Sequence, residues 1–333
     1  MIRAARHLRL LALAALVLVA AVTPASAARP AKPTNPNVGI VDIFTTLGFQ
    51  NGAAAGTGMI VSRSGEVLTN NHVIRGATAL RVVDVTTGRS YGASVVGYSV
   101  SEDVAVLRLQ GASNLRPIAL GDSSSVRIGQ RVVVRGNAGG SGGAPKVAVG
   151  TVTGLHRQIV ARDDQGGTET LTNLIETNAA VEPGDSGGPL LNARGRAIGM
   201  ITAGSRGFSF QNGGSLAYAI PINRARAILR QIEAGIASET VHIGPTAFLG
   251  VVVQDVLGRV QIARVVPGSA AEAAGLVPGD MITSLNNVAI RSSNDLTRTV
   301  LSLRPGTTVS IQWTDSSGAA RSGQITPASG PPQ

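Results

Sequence analysis

Short apolar runs broken by glycine and polar turns fill the chain from Gly39 to about Arg135. Met59-Ile60-Val61 gives way to Ser64-Gly65 before Val67-Leu68-Thr69, and Leu80-Arg81-Val82-Val83 gives way to Thr87-Gly88 before Ala93 to Val96. This spacing predicts a small antiparallel barrel over about 39–135. A second barrel, about 144–220, is predicted from Val147 through Ile175, Ala197 to Ile201 and Ala217 to Ile220. The period then changes. Ile222, Ala225, Ile228, Leu229 and Ile232 fall on one face of a helix over 223–234, with Asn223 as its cap and Gly235 as its stop. Residues 236–245 read as a linker. A last domain over 246–327 carries a short helix at Ser269–Gly275, opened by a Ser269/Glu272 capping box, and a second helix from Asn294 to Ser302. Residues 328–333 are a tail.

The start of the chain has a different pattern. Arg3, Arg6 and Arg9 precede an apolar run from Leu10 to Val22, and Ala25-Ser26-Ala27 follows. The run is short for a bilayer span, and the small residues suit cleavage, so 1–27 reads as an export signal that leaves no stable membrane span. Its loss removes three of the 29 basic residues and none of the 19 acidic ones. Residues 28–37, rich in proline, form an extended lead-in. The remaining chain stays basic, but its arginines are dispersed and not interleaved with aromatics. That argues against nucleic acid as a partner and allows nonspecific affinity for anionic polymers. There is no cysteine, so an exported protein of this sequence is stabilised by burial alone. The histidines are too scattered for a zinc site, and neither metal nor cofactor is expected.

One run carries candidate chemistry: Glu182-Pro183-Gly184-Asp185-Ser186-Gly187-Gly188-Pro189-Leu190. Glycines on both sides of a serine permit a turn that holds the hydroxyl outward. The N–H groups of Gly184 and Ser186 then converge on one point, as an oxyanion requires. A hydroxyl nucleophile needs a base and a group that orients the base. His72, in Leu68-Thr69-Asn70-Asn71-His72-Val73-Ile74 at the end of a strand-like run, is the candidate base. Asp103, opening the alternating strand Val104–Leu109, is the candidate orienting acid. The order His72, Asp103, Ser186 is that of the chymotrypsin-type triad. Each motif alone has a blander structural reading, as a surface turn or a structural histidine. Gly136–Gly143 lacks the Lys-Ser/Thr of a phosphate loop and reads as a flexible surface loop between the barrels.

TNNHV at 69–73, DVAVL at 103–107 and PGDSGGPL at 183–190 resemble the trypsin-like serine proteases of the HtrA/DegP type. The run GPTAFLGV at 244–251, followed by a PDZ-like stretch, is similar to the secreted PepA-type proteases of actinobacteria. The resemblance covers about Val38 to Thr326. It implies a mainly β fold: a chymotrypsin-like double β-barrel protease domain over 38–235, then a C-terminal PDZ domain of α+β type. His72 and Asp103 would come from the first barrel and Ser186 from the second, with Gly184, Asp185 and Ser186 forming the oxyanion turn. Ala180 would help floor the pocket for the side chain before the cut and favour small or medium aliphatic groups. Thr202, Ala203 and Gly204 would pair with substrate backbone. Phe248, Leu249 and Gly250 would grip a peptide's terminal carboxylate, with the peptide adding as a strand beside Val251 onward. Asp185 stands where HtrA relatives commonly have Asn. It suggests either a zymogen switch using a terminus near Val38 or, preferably, local hydrogen bonds.

The function implied is an exported serine endopeptidase, secreted or in the cell envelope or periplasm, that cleaves unfolded or damaged proteins. Its partners would be such substrates and peptide C-termini. The alternative is an exported chaperone or peptide-binding scaffold with little proteolysis. Relatives form trimers through aromatic residues near the N-terminus; Phe44 and Phe49 leave a homotrimer open here.

Overall fold

The structure, a computed structural model, describes residues 35–162, 168–204 and 216–333. The expected signal at 1–27 and residues 28–34 of the lead-in lie outside the described residues. Asn35–Gln333 forms one compact unit. Its first part is β1 (Ile40–Leu47), β2 (Gly52–Ile60), β3 (Glu66–Thr69), α1 (Asn71–Ile74), β4 (Ala79–Asp84), β5 (Ser90–Ser99) and β6 (Val104–Leu109). The strands are ordered β5-β4-β1-β2-β3-β6, and a β5–β6 pairing closes the barrel. β1 lies between β2 and β4, in register from Ile40↔Met59 to Leu47↔Gly52 on one side and from Val41↔Asp84 to Thr46↔Ala79 on the other. Val41, Ile43, Val67, Val82 and Leu107 point inward and are fully buried. The strands are rich in such β-branched residues, whose stiff side chains suit a pleated surface.

The second barrel follows: β7 (Arg131–Gly136), β8 (Lys146–Arg162), β9 (Thr168–Thr177), β10 (Pro189–Leu191), β11 (Ala197–Gly204) and β12 (Ala217–Pro221), closed in the order β10-β11-β12-β9-β8-β7. The boundary expected near 135 is therefore corrected. β7 pairs with β8 from Arg131↔Thr151 to Gly136↔Lys146 and belongs to the second barrel. The glycine-rich run Gly136–Gly143 thus lies within that barrel, between β7 and β8, not between the two barrels.

α2 (Ile222–Glu233) buries the five apolar residues of the predicted face. Together they join a core in which Ile40, Met59, Leu68 and Val106 of the first barrel share one cluster with Met200, Tyr218 and Ile220 of the second. Burying such side chains contributes about 1.5–3 kcal/mol each, so the helix seals the seam between the barrels. Asn223 is not the cap. Pro221 takes that position without a side-chain bond, and Asn223 instead reaches Asp122 Oδ1 at 2.6 Å. Gly235 ends the helix at φ +68°.

Part of the expected linker is strand: β13 (His242–Ile243) adds to β5 through His242↔Tyr98. Next come β14 (Thr246–Phe248), β15 (Val251–Val256), β16 (Arg259–Val265), α3 (Ala270–Ala273), β17 (Met281–Leu285), β18 (Val288–Ala289), α4 (Ser293–Ser302), β19 (Val309–Thr314), β20 (Ala320–Ile325) and β21 (Ala328–Gly330). β15-β16-β17-β19-β20 form a sheet, with β18 paired to β17. Leu249, Ile262, Ile282, Leu296, Val300 and Ile311 pack between sheet and helices. Ser269 caps α3 as its sequence implies, accepting from Glu272 N–H at 3.3 Å. The tail is not free: β21 pairs with β14 through Thr246↔Gly330 and Phe248↔Ala328.

Candidate active site

His72 sits not at a strand end but on α1, a helix of four residues. Asn70 takes the N-cap position, yet its side chain makes no capping bond; its Nδ2 donates instead to the Asp103 carbonyl at 2.9 Å. Asp103 directly precedes β6 and holds φ +50°, a left-handed conformation that Asp tolerates better than most residues. The Asn70 bond braces that strained peptide. The Asp103 carboxylate then faces α1, accepting from His72 N–H at 3.0 Å and lying 2.9 and 3.1 Å from Nδ1.

Thr202 completes the grip. The β11–β12 register shifts between Ile201 and Ala203, so Thr202 occupies a bulge, and its hydroxyl donates to Asp103 Oδ2. The Thr202 carbonyl accepts the Ser186 hydroxyl at 3.5 Å. His72 and Asp103 are thus in direct contact, and Ser186 joins them through Thr202. Asp103 is 1 % exposed. Burial would push its pKa up, but the His72 charge and the hydrogen bonds from His72 and Thr202 outweigh it and hold the carboxyl below the ordinary 3.8. With Nδ1 held by a carboxylate, the neutral imidazole carries its lone pair on Nε2.

The nucleophile turn is braced at each peptide. Gly139 N–H captures the Pro183 carbonyl at 2.8 Å. In a trans peptide the following N–H, that of Gly184, points the opposite way. Thr57 holds two of the next three carbonyls: its hydroxyl donates to Gly184 O at 2.7 Å and its N–H to Ser186 O at 2.8 Å, while Gly188 N–H donates to Asp185 O between them at 2.9 Å. Asp185 N–H is spent on Glu182 O at 3.0 Å and Gly187 N–H on Ile201 O at 2.8 Å. Among the described residues, the N–H groups of Gly184 and Ser186 donate to nothing. The glycines are demanded by packing as well as conformation. Gly184 has φ +101°, and a Cβ there would stand 2.1 Å from Asn137 O; one on Gly187 would stand 2.0 Å from Thr57 O.

Asp185 is buried, and its Oδ2 accepts Glu182 N–H at 2.9 Å. Burial pushes its pKa up, only partly offset by that hydrogen bond and by Lys146. Ala180 is exposed in the chain leading from β9 to the turn. Ala203 and Gly204 continue β11 against Tyr218 and Ala217, and the Ala203 side chain lies outside what the structure describes.

Phe248, Leu249, Gly250 and Val251 line a cleft of about 360 Å³ whose other wall includes Leu296 and Val300 of α4. Gly250 has φ +86°, and a Cβ there would stand 2.1 Å from the Ser269 Cβ. Its carbonyl accepts Val266 N–H at 2.8 Å. The cleft is bounded too by Arg75 and Gly76, just beyond α1. The Phe248 ring stacks on Phe49 at 4.9 Å, whereas Phe44 lies beneath the Arg81 guanidinium at 4.0 Å.

Residues 56–200 match the trypsin-like peptidase domain and residues 247–314 the PDZ domain. The serine protease PepD of Mycobacterium tuberculosis is 36% identical over 86% of this chain. The periplasmic pH-dependent serine endoprotease DegQ of Escherichia coli is 35% identical over 77% of it. The chain is a member of the HtrA/DegP family. It spans 63% and 55% of those two relatives' lengths. A solved HtrA-type protease, AlgW with a tripeptide, is 28% identical to this HtrA/DegP chain, with a TM-score of 0.50 over 89% of this chain and 95% of that one. The mainly β architecture, trypsin-like barrels followed by a PDZ domain, is thus that of its relatives.

Sequence reasoning did not find Thr57 or Asn137 in this HtrA/DegP-type site. Thr57 lies in an unremarked Ala-Gly-rich strand, and Asn137 in the glycine-rich loop, where its carbonyl backs Gly184. The Thr202 hydroxyl is spent on Asp103, a contact additional to the pairing with substrate backbone that the sequence suggests for 202–204. Its place, sixteen residues beyond the serine in the closing strands, was the available signal.

Proposed function

We propose that this chain is an exported serine endopeptidase that hydrolyses unfolded or damaged proteins, with His72, Asp103 and Ser186 as its triad. One observation carries the reading: the Asp103 carboxylate fixes His72 Nδ1 at 2.9 Å, and Thr202 ties that pair to the Ser186 hydroxyl. The hydroxyl swings from the Thr202 carbonyl toward His72 Nε2 as substrate enters and gives up its proton in attacking the peptide carbonyl. Asp103 holds the imidazole in the useful tautomer and offsets the charge it gains. The N–H groups of Gly184 and Ser186 receive the oxyanion, each such donor being worth about 2.7–4 kcal/mol in the transition state. His72 then protonates the leaving amine, and water releases the acyl group.

An uncharged Ala180 at the pocket floor favours small or medium aliphatic side chains before the cut. The PDZ cleft takes peptide C-termini, with the carboxylate at Phe248–Gly250 and the peptide strand beside β15. Export through residues 1–27 delivers the protein outside the cytoplasm, in keeping with the periplasmic relatives. The domain limits we propose are 38–235 for the protease and 246–327 for the PDZ domain.

A fluorophosphonate probe labels Ser186 only if the serine is activated. Labelling together with casein hydrolysis, both abolished by Ser186→Ala without loss of fold, is the expected result. Casein hydrolysis by Ser186→Ala at the parent's rate refutes the assignment. An unlabelled, inactive parent that still binds unfolded protein would favour a chaperone scaffold.

A further inference from the structure

The helix that carries His72 cannot hold itself. Four residues close too few hydrogen bonds to offset nucleation, and the cap side chain is committed to Asp103. Tertiary bonds do the holding. Two are local to the barrel: the Thr45 hydroxyl donates to Val73 O at 2.7 Å, and His72 N–H donates to Asp103 Oδ1 at 3.0 Å. Two others come from residues that follow the PDZ domain. Gln333 O accepts Asn71 Nδ2 at 2.9 Å, on the residue before His72, and Pro332 O accepts Gly76 N–H at 2.8 Å, beyond the other end of the helix.

That segment is itself anchored. β21 pairs with β14, Pro332 is buried, and Gln333 N–H donates to the Tyr98 hydroxyl at 3.2 Å. Tyr98 is fully buried, and its hydroxyl lies 2.9 Å from that of Thr246 on β14. A continuous path of backbone and buried hydroxyls therefore runs from a PDZ strand to both ends of α1. Pro331, Pro332 and Gln333 also line the PDZ cleft, so they lie between the peptide site and the base.

We infer that Ala328–Gln333 is a positioning strap for the His72 helix, bonded to both ends of α1, so that removing it displaces the imidazole and slows the reaction at Ser186. The inference rests on the triad proposed above. Both strap acceptors are main-chain oxygens, so the side chain of Gln333 is dispensable while the segment is not. A displacement of about 1 Å at a reacting group costs up to roughly 10²-fold, and loss of two of the helix's braces is expected to cost about tenfold.

The test compares the full chain, a chain lacking residues 331–333, and Gln333→Ala. Three readouts are taken: amide exchange at Gly76, the rate of fluorophosphonate labelling, and kcat and KM on a peptide too short to reach the PDZ cleft. In the shortened chain Gly76 is expected to exchange at least about tenfold faster. Labelling and kcat should fall about tenfold while KM stays within about twofold, a split that general loss of structure does not produce. Gln333→Ala should match the full chain. If the shortened chain does not fold, Asn71→Ala carries the same kinetic expectations. It removes the Gln333 contact from an intact chain, and Asn71 Oδ1 has no partner to lose among the described residues. Unchanged exchange at Gly76, or labelling and kcat that hold steady or rise, overturns the strap. A full chain inert to the probe would sink the triad reading instead, and Gly76 exchange alone would then decide whether the strap holds the helix.

Discussion

Replacing Thr202 with valine keeps the side chain's shape and removes one hydroxyl. That hydroxyl donates to Asp103 Oδ2, which among the described residues otherwise has only His72 Nδ1, while Oδ1 takes His72 N–H and shares Nδ1. Asp103 is 1 % exposed, so water cannot take the vacated position. A hydrogen bond to a charged group is worth about 1.5–3 kcal/mol, and Thr202→Val should lower the unfolding free energy at neutral pH by about that amount. The sign with pH follows from linkage. The Asp103 pKa is held below 3.8, so its contribution is complete above 3.8 and disappears as pH falls through the folded-state value. The valine variant raises that folded value, so the two proteins should differ most at neutral pH and converge in acid. The reaction should suffer as well. A carboxylate with one fewer restraint orients His72 less well, and labelling of Ser186 should slow about tenfold, or ~1.4 kcal/mol. Urea unfolding at neutral pH and in acid, with probe labelling beside it, measures both effects. Thr202→Ser restores the donor and should recover most of each. If Thr202→Val unfolds within ~0.5 kcal/mol of the parent at neutral pH and labels at the same rate, the reasoning about Asp103 is wrong.

Gly184→Ala places a Cβ where Asn137 O stands and imposes φ +101° on an L-residue, which costs about 1–2 kcal/mol before any clash. Rotation of that peptide removes an oxyanion donor, so kcat/KM on a small substrate should fall roughly 10²–10³-fold while the barrels stay folded, and parental kcat/KM would dismiss Gly184 as a donor. Asp42 is buried with Oδ2 on Gly143 N–H and Oδ1 unpartnered among the described residues. Burial pushes its pKa above 3.8 despite the Gly143 bond and Arg81, so the folded state binds that proton more tightly and stability declines as pH rises from 3.8 through the raised value. Asp42→Asn should remove that decline and raise stability at neutral pH, as thermal melts across pH will show; an unaltered pH profile counts against it.

Much of this architecture was legible along the chain. Alternation and glycine turns announce β-barrels, the spacing from Ile222 to Ile232 announces α2, and the glycines around Ser186 announce a turn that other residues could not form. All of these depend on neighbours in sequence. The motifs at His72, Asp103 and Ser186 named the candidate triad, but not the helix under His72 or the left-handed peptide at Asp103. β7 read as part of the wrong barrel because one strand's pattern does not say which partner it pairs with. The tail 328–333 offers no periodicity at all, and its value lies in main-chain oxygens that every residue possesses.

Residue chemistry by itself determined that the chain forms strands, closes a helix over its apolar seam and exposes a serine between glycines. It did so because each of those outcomes is set by side-chain shape and polarity within a few positions. Folding in three dimensions decided that Thr57 grips a carbonyl 127 residues away and that Thr202 bulges onto Asp103. It also brought the segment after the PDZ domain to the helix of His72. Hydrogen bonds care about distance and direction in space, and only barrel closure and domain docking set those.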